Sequence, residues 1–385
     1  MNIVIISSGF LPAESQGGVP FSAYNLAASF IKLGHSVSVI TTDRNGVSRL
    51  KVETNNWTSF NNIPVIYYKT FSGPYVFIKS RLRYIIRAIM DCDLVISSST
   101  LWNHLGFLAA YYAVKHKKIH FVYPRGLLDS WALNQKPFRK LIFSQTQGRY
   151  IAKSASIFIA LTHAERNSIS IIYPASHAFV IPNGCPEVIN PSAISTGYRL
   201  SNKQVSDYLL FLGRISRKKG LEQSVLSFVN AKLEPKKLLL IVGPIDEEYK
   251  SDFFDLVKPY SDSIVVLPPH FGDQKANLLQ FSRALILTSK SEGMPMAVLE
   301  ALSYGKPVII TPECNLPEVE TYNAGWIICR EDIRSTTGAI EMCFNNSPHY
   351  HERSKNAVLL AEKQFSWEGI AKTTVNLYET LACQS

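Results

Sequence analysis

Short, almost fully apolar segments recur along this chain of 385 residues and alternate with segments of helical character. The first apolar segment, residues 3–7, is followed by a loop and by a predicted helix over residues 21–33, which ends at Gly34. Strands that are apolar on both faces and separated by helices are typical of parallel sheets covered on both sides. The pattern therefore predicts an α/β fold. Further strands in the first half are predicted at residues 37–41, 64–68, 94–97, 119–123, 157–161 and 178–181.

The same alternation restarts after a polar, proline-containing segment, residues 185–204, which is typical of a linker between domains. We predict two Rossmann-like domains that face each other, an N-terminal one over residues 1–190 and a C-terminal one over residues 191–366. A final helix, at about residues 367–385, is assigned to the N-terminal domain. Two doubly wound sheets are expected to place a ligand-binding cleft at the carboxyl ends of their strands. The second series of strands is predicted at residues 208–212, 237–242, 264–267, 284–288, 307–311 and 326–328.

Charge is distributed unevenly along the chain. Residues 1–190 contain 19 Lys and Arg against 8 Asp and Glu, a balance of +11, whereas the remainder contains 21 against 22, a balance of −1. The segment at residues 75–90 interleaves bases with aromatic and aliphatic side chains, which suits an anionic membrane surface. The alternative is a solvated helix face on a basic protein. Nucleic acid is a weaker interpretation, because the sequence contains no zinc-finger or RNP-type motif.

The cysteines and the uncharged stretches restrict the class of protein. The six cysteines are scattered without a C-x-x-C pair, which argues against a disulfide framework and a zinc site and indicates a reducing compartment. The N-terminal residues lack the basic leader of a signal peptide. The longest stretch without a charged side chain, residues 94–114, contains serines and an asparagine and predicts a strand, a loop and a buried helix. We therefore expect a cytoplasmic protein.

A basic loop follows the predicted strand at residues 208–212. Gly213 and Arg214 come directly after the strand, and further bases lead to Lys219 and Gly220. At the carboxyl end of a parallel strand, such bases face the crevice in which ligands bind. Arg214 suits bidentate contact with phosphate oxygens, and Lys219 adds a point charge. The alternative is a solvated surface loop, which is the usual meaning of a run of charges.

A second motif combines two glutamates with a predicted helix at residues 296–302. Pro295 begins this helix and Gly305 ends it, and its side chains are apolar on nearly every side apart from Glu300. A carboxylate on a buried helix needs a partner, for which ribose hydroxyls are suited. Glu292 lies in the preceding loop, beside backbone N–H groups that can hold phosphate or sugar oxygens. The alternative is a structural carboxylate satisfied by backbone amides.

A third and weaker motif is the pair Gly17-Gly18, predicted to lie in the loop between the first strand and the first helix. Two glycines allow a backbone to approach a phosphate group closely. The order of glycines is not G-x-G-x-x-G, which disfavours a Rossmann dehydrogenase. The pair alone is also compatible with a flexible loop.

Together these motifs resemble the retaining family-4 glycosyltransferases of the GT-B class. The resemblance extends over nearly the whole chain, and its most specific part combines Gly213-Arg214 and Lys219-Gly220 with the two glutamates. Residues 124–133, which begin Pro-Arg-Gly, resemble a branch common among bacterial surface-polysaccharide transferases. The resemblance also includes Gly17-Gly18, Ile181-Pro182-Asn183-Gly184 and Phe365-Ser366-Trp367.

The resemblance implies a role for each matching residue. Arg214 and Lys219 would bind the diphosphate of a nucleotide-sugar donor and stabilise its charge as it leaves. Glu300 would hold the ribose, and Gly17 and Gly18 would lie against the phosphates. The transferred sugar would be contacted by Glu292 and by the backbone of Gly293, Met294, Pro295 and Met296.

Arg125 departs from the family pattern, because many relatives carry Pro-His-Gly where this chain has Pro-Arg-Gly. Arginine does not release its proton near neutral pH, so Arg125 would act by charge or hydrogen bonding. The D-x-D pattern at residues 91–93, which binds metal in other glycosyltransferases, directly precedes a predicted strand and is interpreted as structural. His104 and His163 are interpreted as packing or surface residues, so we expect no metal site.

The resemblance implies an enzyme that transfers a hexose, with retention, from a UDP- or GDP-sugar to a lipid-linked or saccharide acceptor. UDP is preferred, and no metal or other cofactor is expected. The basic N-terminal domain would face the acceptor and the inner face of the cytoplasmic membrane, in O-antigen or capsule biosynthesis. One alternative is a sugar-nucleotide 2-epimerase of the same architecture. Another is a non-catalytic module that binds a membrane surface or a polysaccharide.

Overall fold

The computed structural model describes residues 1–72, 75–76, 82–129, 144–187, 198–200, 203–234, 236–345 and 347–384. The chain divides into two compact units. The first unit contains Met1–Gly184 together with Trp367–Ser385, and the second unit contains Cys185–Ser366. The division falls at Gly184, slightly before the boundary expected at residue 190, and the C-terminal helix lies in the first unit.

Among the described residues of the first unit, eight strands form one sheet. These strands are β1 Asn2–Ser7, β2 Ser36–Thr42, β3 Trp57–Phe60, β4 Ile63–Tyr68, β5 Leu94–Ser98, β6 Ile119–Tyr123, β7 Ile157–Ala160 and β8 Ala178–Val180. They lie in the order β8-β7-β6-β5-β1-β2-β4-β3, and all are parallel except β3. The order reverses between β1 and β5, so the carboxyl ends of these strands form a topological switch point.

Helices cover both faces of the first sheet. Ile3, Val4, Ile5 and Ile6 of β1 are all buried, although successive side chains of a strand point to opposite faces. One face packs on the second and third helices, whose apolar side chains share a core cluster with Val4 and Ile6. The helices of this unit are α1 Gly18–Lys32, α2 Leu82–Asp91, α3 His104–Lys115, α4 Arg149–Ser154, α5 His163–Ile172 and the C-terminal helix Trp367–Ala382.

The second unit is built on a fully parallel sheet. Its strands are β9 Tyr208–Leu212, β10 Leu239–Val242, β11 Ile264–Leu267, β12 Ser282–Leu287, β13 Val308–Ile310 and β14 Gly325–Ile327. They lie in the order β11-β10-β9-β12-β13-β14. This is the 3-2-1-4-5-6 order of a Rossmann sheet, whose switch point lies between the first and fourth strands, here β9 and β12.

The helices of the second unit follow the strands in alternation. They are α6 Leu221–Asn230, α7 Lys250–Val257, α8 Gly272–Phe281, α9 Met296–Ser303, α10 Glu318–Thr321, α11 Ile333–Phe344 and α12 Pro348–Gln364. Part of the segment predicted as a linker is instead an antiparallel ribbon of Tyr198–Leu200 and Lys203–Val205. Tyr198 is buried and its hydroxyl lies 2.7 Å from His270 Nε2, which ties the ribbon to this unit.

Each predicted strand is present, with ends that differ by no more than two residues. The prediction missed β3, an edge strand that is antiparallel to its neighbour and half exposed. Within the described residues, no helix combines the length and the apolar character needed to cross a membrane. Two further antiparallel ribbons in the first unit pair Arg44–Asn45 with Ser48–Arg49 and Thr70–Ser72 with Tyr75–Val76.

Candidate functional site

Two of the sequence motifs lie at the switch point of the second sheet. The basic loop follows β9, and the loop that contains Glu292 follows β12, which is hydrogen-bonded to β9. Both loops therefore leave the same carboxyl edge of a parallel sheet, where α/β proteins bind ligands. The folding of βαβ units thus places side chains about 70 residues apart in sequence at one position in space.

Lys219 and Glu292 form an enclosed ion pair. Lys219 Nζ lies 2.5 Å from Glu292 Oε1, and the two side chains are 17% and 11% exposed. The Ser289 hydroxyl donates a second hydrogen bond to the same carboxylate oxygen at 2.6 Å. An ammonium has three N–H donors, so Lys219 can donate to a ligand oxygen while it retains Glu292.

Hydrogen bonds to backbone carbonyls hold these two loops together. The Thr288 hydroxyl donates to the Gly220 carbonyl at 2.7 Å, and the Lys290 N–H donates to the Lys218 carbonyl at 2.8 Å. Gly220 has a φ of +61°, and a Cβ there would lie 2.1 Å from the carbonyl oxygen of Thr288. Glycine alone combines that φ with that approach at low cost. The glycine after Lys219 therefore positions the lysine against the neighbouring loop.

Glu300 lies on α9 and is 8% exposed. Its Oε1 accepts a hydrogen bond from Lys275 Nζ of α8 at 2.7 Å. The partner that the buried carboxylate requires is thus an ammonium within the protein. Sequence reasoning missed Lys275, because a single lysine on a separate helix forms no motif. The signal that was available was Glu300 itself, since a buried carboxylate calls for a nearby cation.

Arg214 also lies at this edge of the sheet but pairs differently. Its Nη1 lies 3.1 Å from Oδ1 of Asp246, which follows β10, and the two side chains are 55% and 39% exposed. The structure therefore brings Arg214 to a different carboxylate from the two glutamates of the motif. An exposed pair of this kind is held weakly, so the guanidinium can turn toward an anionic ligand.

Residues 293–295 connect Glu292 to α9, which begins at Met296 with Pro295 as its N-cap. Asn315 Nδ2 donates to the Glu292 carbonyl at 2.6 Å, and the Glu292 N–H donates to the Glu313 carbonyl at 3.0 Å. The loop after β13 thereby fixes the course of this segment. The Val298 N–H donates to the Pro295 carbonyl at 3.1 Å, and the positive end of the helix dipole at this first turn is suited to an anionic ligand group.

The glycine pair of the first unit lies at a helix start. Gly17 precedes α1 with a φ of +78°, and Gly18 is the first residue of the helix. The prediction that both glycines belong to a loop, and that the helix begins at residue 21, was wrong for Gly18. Pro20 lies in the first turn, where the N–H that proline lacks has no intrahelical acceptor, so the helix begins before it.

Arg125 lies in the first unit, two residues after β6. Its Nε donates to Ser98 Oγ at 2.7 Å, and its Nη1 donates to Asn183 Oδ1. The guanidinium carbon lies 5.2 Å from the centre of the Tyr123 ring. Burial lowers the pKa of Arg125 to about 10, so the side chain stays protonated at neutral pH. Residues 130–133, which complete the segment that begins Pro-Arg-Gly, lie outside the described residues.

The D-x-D pattern and the two histidines have structural positions. Asp91 forms an ion pair within α2, and the Asp93 carboxylate accepts the backbone N–H of Asn2 at 2.8 Å. His104 and His163 are the first residues of α3 and α5. In the part of the chain that the structure describes, no group of three or more His, Cys, Asp and Glu side chains is placed to hold a metal ion.

Two family models match the chain, one on each side of the division between the units. The model described as "Glycosyltransferase Family 4" matches residues 16–187. The model described as "Glycosyl transferases group 1" matches residues 199–359.

Individual proteins with similar sequences or folds agree with these matches. An uncharacterized glycosyltransferase of Haemophilus influenzae is 23% identical over 366 residues, which are 90% of this chain and 92% of that protein. The O-antigen chain mannosyltransferase B of Escherichia coli is 31% identical over 100 residues, which are 26% of each protein. The solved structure of HepE from Anabaena, in complex with UDP and glucose, has a TM-score of 0.73 at 15% identity and covers 99% of this chain and 100% of that one.

The family matches cover most of both units, and the parallel sheets of the units account for the shared fold. The sequence resemblance is thus confirmed by independent comparison of sequence and of fold. The chain belongs to the family-4 glycosyltransferases, and its two Rossmann-like units are those of the GT-B class.

Proposed function

We propose that this glycosyltransferase moves a hexose from a nucleotide diphosphate sugar to a lipid-linked or saccharide acceptor, with retention, during surface-polysaccharide biosynthesis. The mannosyltransferase of O-antigen chains among its relatives supports the polysaccharide class. The complex of HepE with UDP and glucose supports a UDP-sugar as the donor, although a GDP-sugar uses the same diphosphate chemistry. O-antigen and capsule are the polysaccharides to which we assign the reaction.

The observation that carries this proposal is the pair of enclosed ion pairs in the second unit. Lys219 with Glu292, and Lys275 with Glu300, place two cations and two carboxylates on elements at or beside the switch point of a Rossmann sheet. The cation of Lys219, together with Arg214, suits the diphosphate of the donor. The carboxylates suit hydroxyl groups, which we assign as the ribose at Glu300 and the transferred sugar at Glu292.

The proposed mechanism stabilises the charge that develops on the leaving diphosphate. Lys219 and Arg214 would face the leaving oxygens, and the first-turn N–H groups of α9 would add partial positive charge. Positive side chains would then supply the stabilisation without a metal ion. A leaving phosphate oxygen would accept the proton of the acceptor hydroxyl. Glu292 is the remaining candidate for a protein nucleophile, because its carboxylate lies beside Lys219.

We further propose that the first unit faces the acceptor at the inner face of the cytoplasmic membrane. The support is the positive charge of residues 1–190, which balances to +11. Anionic lipid attracts such a surface, and the acceptor would be reached where its lipid is anchored. Arg125 and the Gly17-Gly18 turn are the residues of this unit that we assign to substrate binding.

The experiment that tests the function begins with donor binding by the full-length protein. UDP- and GDP-sugars are screened by thermal shift, because a ligand that binds the folded protein raises its Tm. The best donor is then incubated with and without saccharide or lipid-linked acceptors, and released nucleotide is measured. We expect nucleotide release to depend on acceptor.

Matched variants connect this activity to the site. Lys219→Gln and Glu300→Gln are expected to lower turnover at least a hundredfold, or about 3 kcal/mol of transition-state stabilisation. Lys290→Gln removes an exposed lysine from the same loop region and is expected to retain activity. Turnover near the wild-type value for Lys219→Gln would contradict the assignment. Interconversion of free nucleotide sugars without acceptor would indicate an epimerase, and no donor binding would indicate a binding module.

A further inference from the structure

Arg125, a cation of the first unit, lies where three strands of the sheet end. Arg125 follows β6, Ser98 is the last residue of β5, and Asn183 follows β8. The Arg125 guanidinium donates to both of these side chains, so it joins three strand ends at the carboxyl edge of the sheet. This edge is where α/β proteins bind ligands, and the guanidinium is held there in one orientation.

The backbone around this arginine is also constrained. Arg125 has a φ of +54°, a left-handed backbone conformation that residues other than glycine adopt only where their surroundings hold it. The Glu165 carboxylate holds the turn in place, because its two oxygens accept the N–H groups of Gly126 at 2.5 Å and Leu161 at 2.7 Å. Both oxygens of Glu165 are thus directed to the backbone.

The hydrogen bonds of this guanidinium go to neutral acceptors, while the nearby Glu165 carboxylate, which interacts with its charge, accepts backbone N–H groups. The hydroxyl of Ser98 and the amide of Asn183 use two of the five N–H donors of Arg125. The Tyr123 ring adds a cation–π contact on one side. A cation that is largely removed from water gains most when an opposite charge reaches it, and these acceptors carry none.

We propose that Arg125 is the centre of an oxyanion-binding site that takes a carboxylate or a phosphate carried by one of the sugar substrates. The planar fork of a guanidinium matches both groups bidentately, and an ammonium or an imidazole does not. The inference goes beyond the proposed function, which assigns no charge to the sugar or to the acceptor. A uronic acid would supply the carboxylate, and a phosphorylated or lipid-phosphate-linked sugar would supply the phosphate.

The test uses the full-length protein without nucleotide sugar, so its outcome is independent of the transferase reaction. Glucuronate, glucose 1-phosphate and neutral methyl glucoside are titrated separately by isothermal titration calorimetry. We expect at least one anion to bind at least tenfold more tightly than methyl glucoside. Tighter binding of glucuronate assigns the site to a carboxylate, and tighter binding of glucose 1-phosphate assigns it to a phosphate. If neither anion binds better than methyl glucoside, the proposal is wrong.

Charge variants locate the anion. Arg125→Gln is expected to weaken its binding at least tenfold, because the variant keeps a polar side chain and loses the charge. Arg166→Gln is the matched control, since it removes an exposed arginine from α5, and it should bind the anion as the wild type does. Lys219→Gln tests whether the anion occupies the second unit. If Lys219→Gln weakens binding and Arg125→Gln does not, the proposal is overturned.

A further variant keeps the charge and changes only its anchoring. Ser98→Ala removes the acceptor of Arg125 Nε and is expected to weaken anion binding about three- to tenfold. Ser168→Ala, on α5, is its control. Circular dichroism establishes that each variant is folded, and if Arg125→Gln fails to fold, Ser98→Ala decides. Binding by Ser98→Ala that equals the wild type would contradict a guanidinium positioned by the strand ends.

Discussion

At the residue scale, exposure separates the ion pairs of the second unit into two kinds. The side chains of Lys219 and Glu292 are mostly enclosed, whereas those of Arg214 and Asp246 are about half exposed. Solvent screens an exposed pair, and its contribution to stability is small. Removal of one partner from an enclosed pair leaves a charge with little access to water. The first pair is therefore fixed in place, and the second is free to exchange its partner for a ligand.

Lys219→Met is expected to lower the stability of the second unit by about 3 kcal/mol, because the Glu292 carboxylate loses its counter-charge. The double variant Lys219→Met/Glu292→Gln removes both charges and should recover most of that loss. Hydrogen exchange of amides in β9 and β12 measures the effect locally, which suits a chain of two units whose unfolding need not be two-state. The two single variants complete a double-mutant cycle.

The control for this cycle is Asp246→Asn, which removes the partner of Arg214. We expect it to change the same exchange free energies by less than about 1 kcal/mol, as for other exposed pairs. Equal effects of Lys219→Met and Asp246→Asn would mean that enclosure does not distinguish the two pairs.

A buried histidine of the first unit predicts a dependence of stability on pH. His120 lies in β6, its Nε2 is 2.8 Å from Ser97 Oγ, and burial lowers its pKa to about 3. The folded protein therefore keeps this imidazole neutral, while in the unfolded chain it binds a proton below about pH 6.5. Between about pH 6.5 and 3, the unfolded state binds more protons and stability falls as the pH falls, by up to about 1.4 kcal/mol per pH unit.

His120→Asn removes this titration, so the fall in Tm between pH 7.5 and pH 5 should be smaller for the variant than for the wild type. His163→Gln, which changes an exposed histidine at the start of α5, should follow the wild type. Parallel curves for the wild type and His120→Asn would show that His120 does not contribute to the acid sensitivity.

At the scale of elements, the strands are the part of the fold that the sequence predicts most closely. A short apolar run that is buried on both faces has few alternatives, whereas β3 is a polar edge strand without such a run. The loops after β9 and β12 could be assigned to a site because each directly follows a strand. Lys275 and Ser98 could not, because each reaches its partner through the packing of a separate element.

The turn after β8, which contains the matched motif Ile181-Pro182-Asn183-Gly184, packs against the C-terminal helix. Gly184 ends this turn, and the Trp367 ring of the C-terminal helix packs directly on it. Trp367 itself is 7% exposed. The motif that ends in Gly184 and the motif that ends in Trp367 are far apart in the sequence, but they contact each other in the fold. The contact attaches the C-terminal helix to the first unit.

Gly184→Ala is expected to destabilise the first unit by about 1–3 kcal/mol, because the added Cβ would lie 2.4 Å from a ring atom of Trp367. Gly338→Ala is the matched control, since Gly338 lies within α11 and a Cβ there has no atom within 4 Å. Alanine at that helical position should stabilise by up to about 1 kcal/mol. Thermal unfolding of both variants gives the comparison, and an unchanged Tm for Gly184→Ala would show that the tryptophan moves aside at no cost.

At the scale of the whole molecule, positive charge and exposed apolar side chains occur together in the first unit. Arg83 and Arg87 of α2 and Lys115 of α3 are exposed, and Tyr111 and Val114 of α3 are 42% and 49% exposed. Helices α2 and α3 pack against each other. Basic side chains beside aromatic and aliphatic ones suit an anionic lipid surface. Of the basic segment at residues 75–90, residues 77–81 lie outside the described residues.

Binding to vesicles tests whether the basic side chains of the first unit bind the membrane specifically, or whether the net charge of the whole protein is responsible. A variant with glutamine at the lysines of residues 115–118 is expected to bind vesicles of phosphatidylserine and phosphatidylcholine at least tenfold more weakly than the wild type, because each lysine near the surface contributes about 1 kcal/mol. A control variant removes the same charge from the second unit, at Lys250, Lys258 and Lys290. It should retain most of the binding in a co-sedimentation assay at low salt.

Equal losses in the two variants would mean that net charge alone governs binding. No binding by the wild type would contradict the membrane part of the proposal while leaving donor binding untouched.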